Sequence, residues 1–150
     1  MITEPSQALL DETARREHSD CQMCGRDLPS GLRLQFVLQA DGVVEAPYRP
    51  DQTRQGYHGL LHGGTIASLL DAAMTNSLFA RGITALTARL SVRYLLPVRL
   101  GVPVTVRGWL VAAKPPIYNV TAEIRQDGHR AAQASAVFMP SPDRTKPCLK

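Results

Sequence analysis

The segment 57–64 has the sequence YHGLLHGG and runs directly into a helix-like stretch that carries one acid, Asp71. Glycine lets a backbone approach a ligand closely, and the first N–H groups of a helix have no internal partner and carry partial positive charge. An N–H directed from that position can polarise a carbonyl group, as an oxyanion hole does. The segment therefore predicts an electrophilic backbone site at Gly63 and Gly64 beside a carboxylate. These are two of the parts that hydrolysis of an acyl compound needs.

The stretch that follows Gly64 predicts an amphipathic helix. Its apolar residues recur at intervals of three and four, which is the spacing of one buried helix face. Asp71 lies off this stripe, with Thr75 one turn later on the same face as the acid. An acid in such a place can also be a solvated residue or a salt-bridge partner, and Gly63-Gly64 can equally be a tight turn. The predicted buried stripe consists of Ile66, Leu69, Leu70, Ala73, Met74, Ser77 and Leu78.

The separation of Gly63 and Asp71 limits how they can act together. They are eight residues apart, which along a helix is about 12 Å at 1.5 Å per residue. A general base and an oxyanion donor must both lie within roughly 3 Å of one reacting group. Two copies of the helix, antiparallel across a two-fold axis, can bring Gly63 of one close to Asp71 of the other. An active site here therefore predicts an obligate dimer with two sites.

The composition is that of an ordinary soluble globular protein. The chain has 150 residues, enough for one domain with a substantial core, and it is 44% hydrophobic and 20% charged. Its net charge is +4, but the arginines are spread without the basic runs of a nucleic-acid surface. No apolar run is long enough to span a membrane, and the N-terminus does not resemble a secretory signal. We therefore expect a cytoplasmic protein that binds neither nucleic acid nor membrane.

The cysteines raise the question of a metal or redox site. Cys21 and Cys24 form a CxxC pair with His18 three residues upstream, and the third cysteine is Cys148. An odd number argues against a disulfide framework, and a zinc site would want four ligands. We therefore expect no metal and interpret the cysteines as small packing residues, with metal binding and redox activity as the alternatives.

The order of the remaining patterns predicts one domain of the α+β class. Strand-like stretches lie on both sides of the single long helix, which favours that helix packed on a five- or six-stranded antiparallel sheet. We expect an N-terminal extension at 1–20 that holds a short helix or loose tail, one domain at 21–140, and a mobile C-terminal tail at 141–150. The predicted strands are 32–38, 43–48, 86–94, 102–111, 117–126 and 129–139.

The strand that follows the helix alternates cleanly, which predicts a half-buried strand of an antiparallel sheet. One face carries Leu86, Ala88, Leu90, Val92 and Tyr94, and the other carries Thr87, Arg89, Ser91 and Arg93.

In several of these segments the chain resembles the hotdog-fold thioesterases of the phenylacetate-pathway, PaaI-like type. The similarity spans residues 21–139, and its most specific part is the His-Gly-Gly sequence with an acid nine residues after the histidine. In that family the sheet wraps a central helix, dimers pair their sheets edge to edge, and tetramers are common. The matching segments are CQMCG at 21–25, GLRLQF at 31–36, QGYHGLLHGG at 55–64, LLDAAM at 69–74 and TARLSVRYLLPV at 87–98.

The resemblance implies an acyl-CoA thioesterase that is a homodimer or homotetramer. Coenzyme A would be part of the substrate, and no metal or redox cofactor is implied. The family's backbone oxyanion donor matches Gly63, with Gly64 beside it, and its general base or nucleophile matches Asp71. The other matched positions are His62, which shapes the loop, Thr75, whose hydroxyl helps the acid, and Thr87, which can hold water.

Two positions depart from the family pattern. Many relatives have Asn or Gln seven residues before the oxyanion glycine, where this chain has Gly56, and the neighbouring Gln55 is the candidate replacement in substrate binding. Many close relatives follow the acid with Glu, where this chain has Ala72, so Asp71 would act alone. From charge alone, the candidates for holding the phosphates of coenzyme A are Arg89, Arg93 and Lys114.

Two other functions stay open. A hydratase or dehydratase acting on acyl-CoA or acyl-carrier-protein substrates pairs a histidine with an acid, which keeps His58 and His62 as candidates. A non-catalytic module that senses acyl-CoA is supported by Gly56 and the lone acid. The acyl chain is not defined by the sequence, because pocket depth depends on residues such as Leu78, Phe79 and Phe138.

Overall fold

Six antiparallel strands and one long helix make up most of the computed structural model, which describes residues 2–141. The sheet order is β1-β2-β4-β5-β6-β3, so β3 lies at one edge. The predicted tail at 141–150, apart from its first residue, and Cys148 lie outside the described residues. The elements are α1 (Gln7–His18), β1 (Val37–Leu38), β2 (Val44–Tyr48), a 3-10 turn (Gln52–Arg54), α2 (Gly63–Phe79), β3 (Ala85–Tyr94), β4 (Val104–Lys114), β5 (Ile117–Gln126) and β6 (His129–Pro140).

Helix α2 is the predicted central helix, and it is more deeply buried than one apolar stripe requires. Leu69 and Leu70 are fully buried, as predicted, but Ala72 and Asn76 are buried as well. Helix α2 also packs against α1. Asn76 satisfies its amide by donating from Nδ2 to the carbonyl oxygen of Ala72 at 2.8 Å. The N-terminal helix at 7–18 is thus part of the packing around α2.

Helix α2 lies very close to the sheet where it crosses β4 at Gly108. A Cβ atom at this position would lie 2.4 Å from the carbonyl oxygen of Ala73 and 3.0 Å from the backbone nitrogen of Met74. The absence of a side chain therefore lets the helix backbone rest directly on the strand.

The prediction of a strand at 32–38 is wrong for most of its length. Only Val37–Leu38 pairs with β2. The N–H of Leu32 donates to the carbonyl of Gln22, and that of Leu34 donates to the carbonyl of Met23. These residues are held by the CxxC segment rather than by the sheet, and Arg33 between them has a positive φ of 53°.

The predicted alternation of β3 is wrong at its start, and the strand is mostly exposed rather than half-buried. Thr87 pairs with Phe138 and Arg89 with Val137, so the intervening Ala88 is an extra, bulged residue. A bulge shifts the side-chain alternation by one position. Thr87 therefore lies on the helix-facing side of the sheet, together with Leu90, Val92 and Tyr94, whereas Leu86 lies on the outer side.

The outer face of the sheet carries an ion-pair network centred on Glu123. Its carboxylate is almost completely buried and accepts hydrogen bonds from Arg107 at 3.0 Å, Arg125 at 2.9 Å and Arg130 at 2.7 Å. Burial alone would raise the pKa of Glu123, but the bonds from Arg125 and Arg107 lower it below its usual value. Much of the basic charge on this face is thus engaged by the protein itself. In the described part of the chain, no helix has the length and apolar character needed to cross a membrane.

Gly108→Ala should be strongly destabilising, because the added methyl group collides with the backbone of α2. We expect a loss of about 3–5 kcal/mol in the free energy of unfolding, at the severe end for single substitutions. Gly42→Ala is the control, because its Cβ meets nothing within 4 Å and only the positive φ of 84° is penalised, at about 1 kcal/mol. Urea unfolding at fixed protein concentration measures both. Equal losses would contradict the proposed contact.

Candidate active site

The start of α2 is built by a histidine cap. His62 has extended backbone angles, φ −61° and ψ 135°, and its Nδ1 accepts the N–H of Gly64 at 2.8 Å. A Cβ at Gly64 would lie 3.0 Å from the His62 ring, so glycine lets the ring fold over the helix start. His62 thus satisfies one of the free N–H groups of the first turn.

The N–H of Gly63 is the candidate oxyanion donor. Gly63 is the first residue of α2, so its N–H has no partner within the helix, and we find no acceptor for it among residues 2–141. The carbonyl oxygen of Gly63 accepts a hydrogen bond of 2.8 Å from the hydroxyl of Tyr94 on β3. The edge strand therefore holds the Gly63–Gly64 peptide, which adjoins the peptide that carries the candidate N–H.

The loop before α2 is held by its own backbone and by Gln55. The Oε1 atom of Gln55 accepts the N–H of Gly59 at 2.9 Å, and the N–H of Gly56 donates to the carbonyl of Leu60 at 3.0 Å. The N–H of His62 donates to the carbonyl of Arg54 at 2.9 Å. Gln55 is exposed on the surface of this loop, and its predicted role in substrate binding stays a prediction.

The carboxylate of Asp71 is held by Thr87. Asp71 lies in the middle of α2, and its Oδ1 accepts a hydrogen bond of 2.6 Å from the Thr87 hydroxyl. Burial raises the pKa of Asp71 above the usual range of a carboxyl group, and the Thr87 bond opposes that rise. A carboxylate with a raised pKa is a stronger proton acceptor than a free surface acid. Because of the bulge in β3, the side chain of Thr87 lies on the same side of the sheet as this carboxylate.

Thr75 lies beside Asp71 but does not contact the carboxylate. Its hydroxyl donates to the backbone carbonyl oxygen of Asp71 at 2.9 Å, one turn earlier in the helix. The hydroxyl that touches the acid is therefore that of Thr87, which the sequence had suggested only as a position that can hold water. Thr75 nevertheless lines the same cleft as Asp71.

A cleft of about 300 Å³ opens beside Asp71. One wall comes from α2, through residues that include Ala67 and Ser68, and another comes from Leu90 of β3. The third wall is the segment 18–23, whose position there was not predicted from the sequence. By contrast, Leu78, Phe79 and Phe138 are at most 1% exposed and belong to the core rather than to this cleft.

The basic residues selected from charge do not face this cleft within one chain. Arg89 and Arg93 lie on the face of β3 opposite to Thr87, as their pairing with Val137 and Gln133 of β6 indicates. Lys114 ends β4, which is separated from β3 by two other strands. Their contact with coenzyme A stays a prediction.

The segment that forms the third wall contains a cluster of His18, Cys21 and Cys24. Their ligand atoms all lie within 4.8 Å of one another. The hydrogen bond from the Cys24 thiol, together with His18, lowers the pKa of Cys21, and the same pairing raises the pKa of Cys24. The sequence contained the signal for this cluster, the spacing His-x-x-Cys-x-x-Cys, but not its position beside Asp71.

Comparison with known protein families matches residues 58–133, half of the chain, to the thioesterase superfamily. The chain belongs to the thioesterase superfamily. The matched residues include the start of α2, Asp71 and Thr87, and they extend through most of the sheet.

The chain is also similar to individual proteins. Over 126 residues the chain is 26% identical to the rat protein named acyl-coenzyme A thioesterase THEM4, covering 81% of this chain and 54% of that one. The chain thus spans about half the length of this curated relative. The PaaI protein of the E. coli phenylacetic acid degradation operon has a TM-score of 0.76 at 15% identity, covering 90% and 95% of the two chains. A Streptococcus mutans protein solved with acetyl-CoA has a TM-score of 0.67 at 22% identity, covering 74% and 90%.

The structural likenesses confirm the hotdog fold of the α+β class that the sequence predicts. They extend over more of the chain than the family match does, since the E. coli comparison covers nine-tenths of it.

Thr87→Val should raise the pKa of Asp71, because it removes the hydrogen bond that stabilises the ionised carboxylate. Thr75→Val is the matched control, since it loses a hydroxyl that is bonded only to a backbone carbonyl. Carbon-13 NMR titration of the side-chain carboxyl groups measures the pKa directly. We expect a rise in the pKa of Asp71 for Thr87→Val and a smaller change for Thr75→Val. The opposite ranking would contradict the assigned hydrogen bonds.

Proposed function

We propose that this protein is an acyl-CoA thioesterase, in which the Gly63 N–H polarises the thioester carbonyl and Asp71 of a second subunit activates water. The observation that carries the proposal is the arrangement on α2. A backbone N–H without a partner begins the helix, and a half-buried carboxylate with a raised pKa lies in its middle. Membership of the thioesterase superfamily supports hydrolysis. The rat relative's name and the acetyl-CoA bound to the S. mutans protein support a coenzyme A thioester as substrate.

The site requires two subunits, because Gly63 and Asp71 belong to different turns of one straight helix. Their separation of eight residues corresponds to about 12 Å along the axis. The edge strand β3 offers the surface for pairing, since within residues 2–141 its backbone groups on one side have no strand beside them. Large apolar side chains on and just after this strand are exposed, among them Leu90 at 36%, Tyr94 at 55% and Leu96 at 49%. A second copy that pairs along β3 would cover them.

The proposed reaction is addition of water followed by loss of the thiolate. Asp71 removes a proton from water, and the oxygen attacks the thioester carbon, whose carbonyl oxygen becomes an anion that accepts the Gly63 N–H. The tetrahedral intermediate collapses, the carbon–sulfur bond breaks, and protonated Asp71 returns its proton to the leaving thiolate. Thr87 keeps the carboxylate in place through its hydrogen bond of 2.6 Å. Direct attack by Asp71 on the thioester carbon is the alternative route on the same residues: the carbon–sulfur bond breaks, the thiolate leaves, and water then hydrolyses the mixed anhydride to the free acid and the Asp71 carboxylate.

Asp71→Asn should abolish hydrolysis while leaving the fold intact, since the Asn oxygen can still accept the Thr87 hydroxyl. We expect kcat to fall by about 10²–10⁴-fold, the contribution of a positioned base. The assay is release of free thiol from short, long and aromatic acyl-CoAs, with the exposed Asp27→Asn as the control. Turnover by Asp71→Asn at the wild-type rate would contradict a role for the Asp71 carboxylate in the reaction. Absence of turnover by the wild type, with coenzyme A still bound, would favour a binding module or a hydratase instead.

Gly63 offers a test that removes a single N–H group. Proline is well tolerated as the first residue of a helix, and His62 already has the extended conformation that a residue before proline adopts. Gly63→Pro should therefore fold but lose about 10²–10³-fold in kcat, the usual effect of losing one oxyanion donor. Gly63→Ala keeps the N–H, and its methyl group meets Tyr94 at an ordinary 3.5 Å, so it should stay active. Equal activity of Gly63→Pro and Gly63→Ala would contradict the assignment of the Gly63 N–H as the oxyanion donor.

The same variants test whether the site is shared between subunits. A mixed dimer of Gly63→Pro and Asp71→Asn subunits has one site that combines an intact Gly63 with an intact Asp71. Random mixing should restore about a quarter of the wild-type sites. No recovery after unfolding and refolding the two variants together would mean that both groups act within one chain.

A further inference from the structure

The segment that forms the third wall of the cleft is a tight turn stabilised around a sulfur atom. The N–H of Met23 donates to Cys21 Sγ at 3.4 Å, and the N–H of Gly25 donates to the carbonyl of Cys21 at 2.9 Å. A Cβ at Gly25 would lie 2.3 Å from the backbone nitrogen of Cys21, so the turn requires glycine. An N–H directed at a sulfur favours its thiolate form, which is the form that binds metals.

His18 completes the cluster from the end of α1. Its Nδ1 lies 3.5 Å from Cys24 Sγ, and its ring packs edge-on against Phe79 with 4.9 Å between ring centroids. In a tetrahedral zinc site, with Zn–S near 2.3 Å and Zn–N near 2.0–2.1 Å, neighbouring ligand atoms are roughly 3.5–3.8 Å apart. The distance of 3.5 Å between His18 Nδ1 and Cys24 Sγ already lies in this range. A turn that served only packing would not need the imidazole nitrogen to face the sulfur.

We propose that His18, Cys21 and Cys24 bind a zinc ion whose fourth coordination position opens into the cleft beside Asp71. Two thiolates and one imidazole suit zinc rather than magnesium or calcium. Three protein ligands with one open position form a recognised class of zinc site. Because His18 and Cys21 both line the cleft that contains Asp71, the open position faces the same space. This proposal reverses the expectation of no metal, and it does not depend on the proposed hydrolysis.

The metal would join the end of α1 to the turn at 21–24. His18 is the last residue of α1, and the two cysteines lie in the turn that holds residues 32–34. One ion would therefore fix the N-terminal segment against α2 and complete the wall of the cleft. A water molecule, or the sulfur of a thiol in the cleft, would occupy the fourth position.

The test is metal loading of the full-length, reduced protein. After incubation with zinc and removal of the excess, elemental analysis should give about one zinc per chain. Cys21→Ser, Cys24→Ser and His18→Gln should each weaken binding by more than about 100-fold. His129→Gln and Cys148→Ser are the controls and should bind as the wild type does. Cobalt substitution of the wild type should give thiolate-to-metal charge transfer and the intense visible bands of a tetrahedral ion.

The cobalt form also tests the open position without any variant. A small thiol such as cysteamine should shift the visible bands by entering the fourth position. Failure of the reduced wild type to bind zinc or cobalt would overturn the proposal, and a reversible Cys21–Cys24 disulfide found by mass spectrometry would then identify the pair as a redox couple. Loss of zinc in Cys148→Ser, or a cobalt spectrum that thiols leave unchanged, would overturn the open position.

Discussion

The contact between α2 and Gly108 of β4 is the constraint on which the other features depend. Because the helix backbone rests on the strand backbone, no side chain separates α2 from the sheet at this crossing. The edge strand β3 supplies both Thr87 and Tyr94 to the same helix. The positions of the acid and of the helix start relative to β3 therefore depend on this close contact between helix and sheet.

Local sequence was enough to predict the parts of the site that lie on α2. The glycines and the acid in the helix are visible in one continuous stretch, because helix starts have local signals. His62 was expected to shape the loop, and its role as the helix cap is visible only in the structure. The partner of Asp71 was not predictable, because a single bulged residue, Ala88, reverses the face of Thr87. The wall formed by the CxxC segment was also missed, since it depends on contacts between residues far apart in sequence. The prediction of a strand at 32–38 was wrong for the same reason.

The half-buried acid has a thermodynamic consequence. A carboxyl group whose pKa is raised by folding contributes stability below its unfolded pKa of about 3.9, and that contribution is lost as the pH rises through its folded pKa. At neutral pH the ionised Asp71 thus opposes folding, and the fully buried Leu69 and Leu70 on the same helix help to offset it. The effect of Glu123 on stability is the opposite. Because its pKa is lowered by folding, its ionised form stabilises the fold at pH values above the usual carboxyl pKa, and this contribution is lost on acidification.

The hydrogen bond from Tyr94 to the carbonyl of Gly63 links the outermost strand of the sheet to the first peptide of α2. A phenol ring is rigid, so a shift of β3 along or away from the sheet is transmitted to that peptide with little loss. A second copy that pairs along β3, as proposed above, would therefore act on the orientation of the first turn of α2 as well as bury more apolar surface. Subunit association and the alignment of the Gly63 N–H would then be coupled, because the carbonyl that Tyr94 holds belongs to the same residue as that N–H.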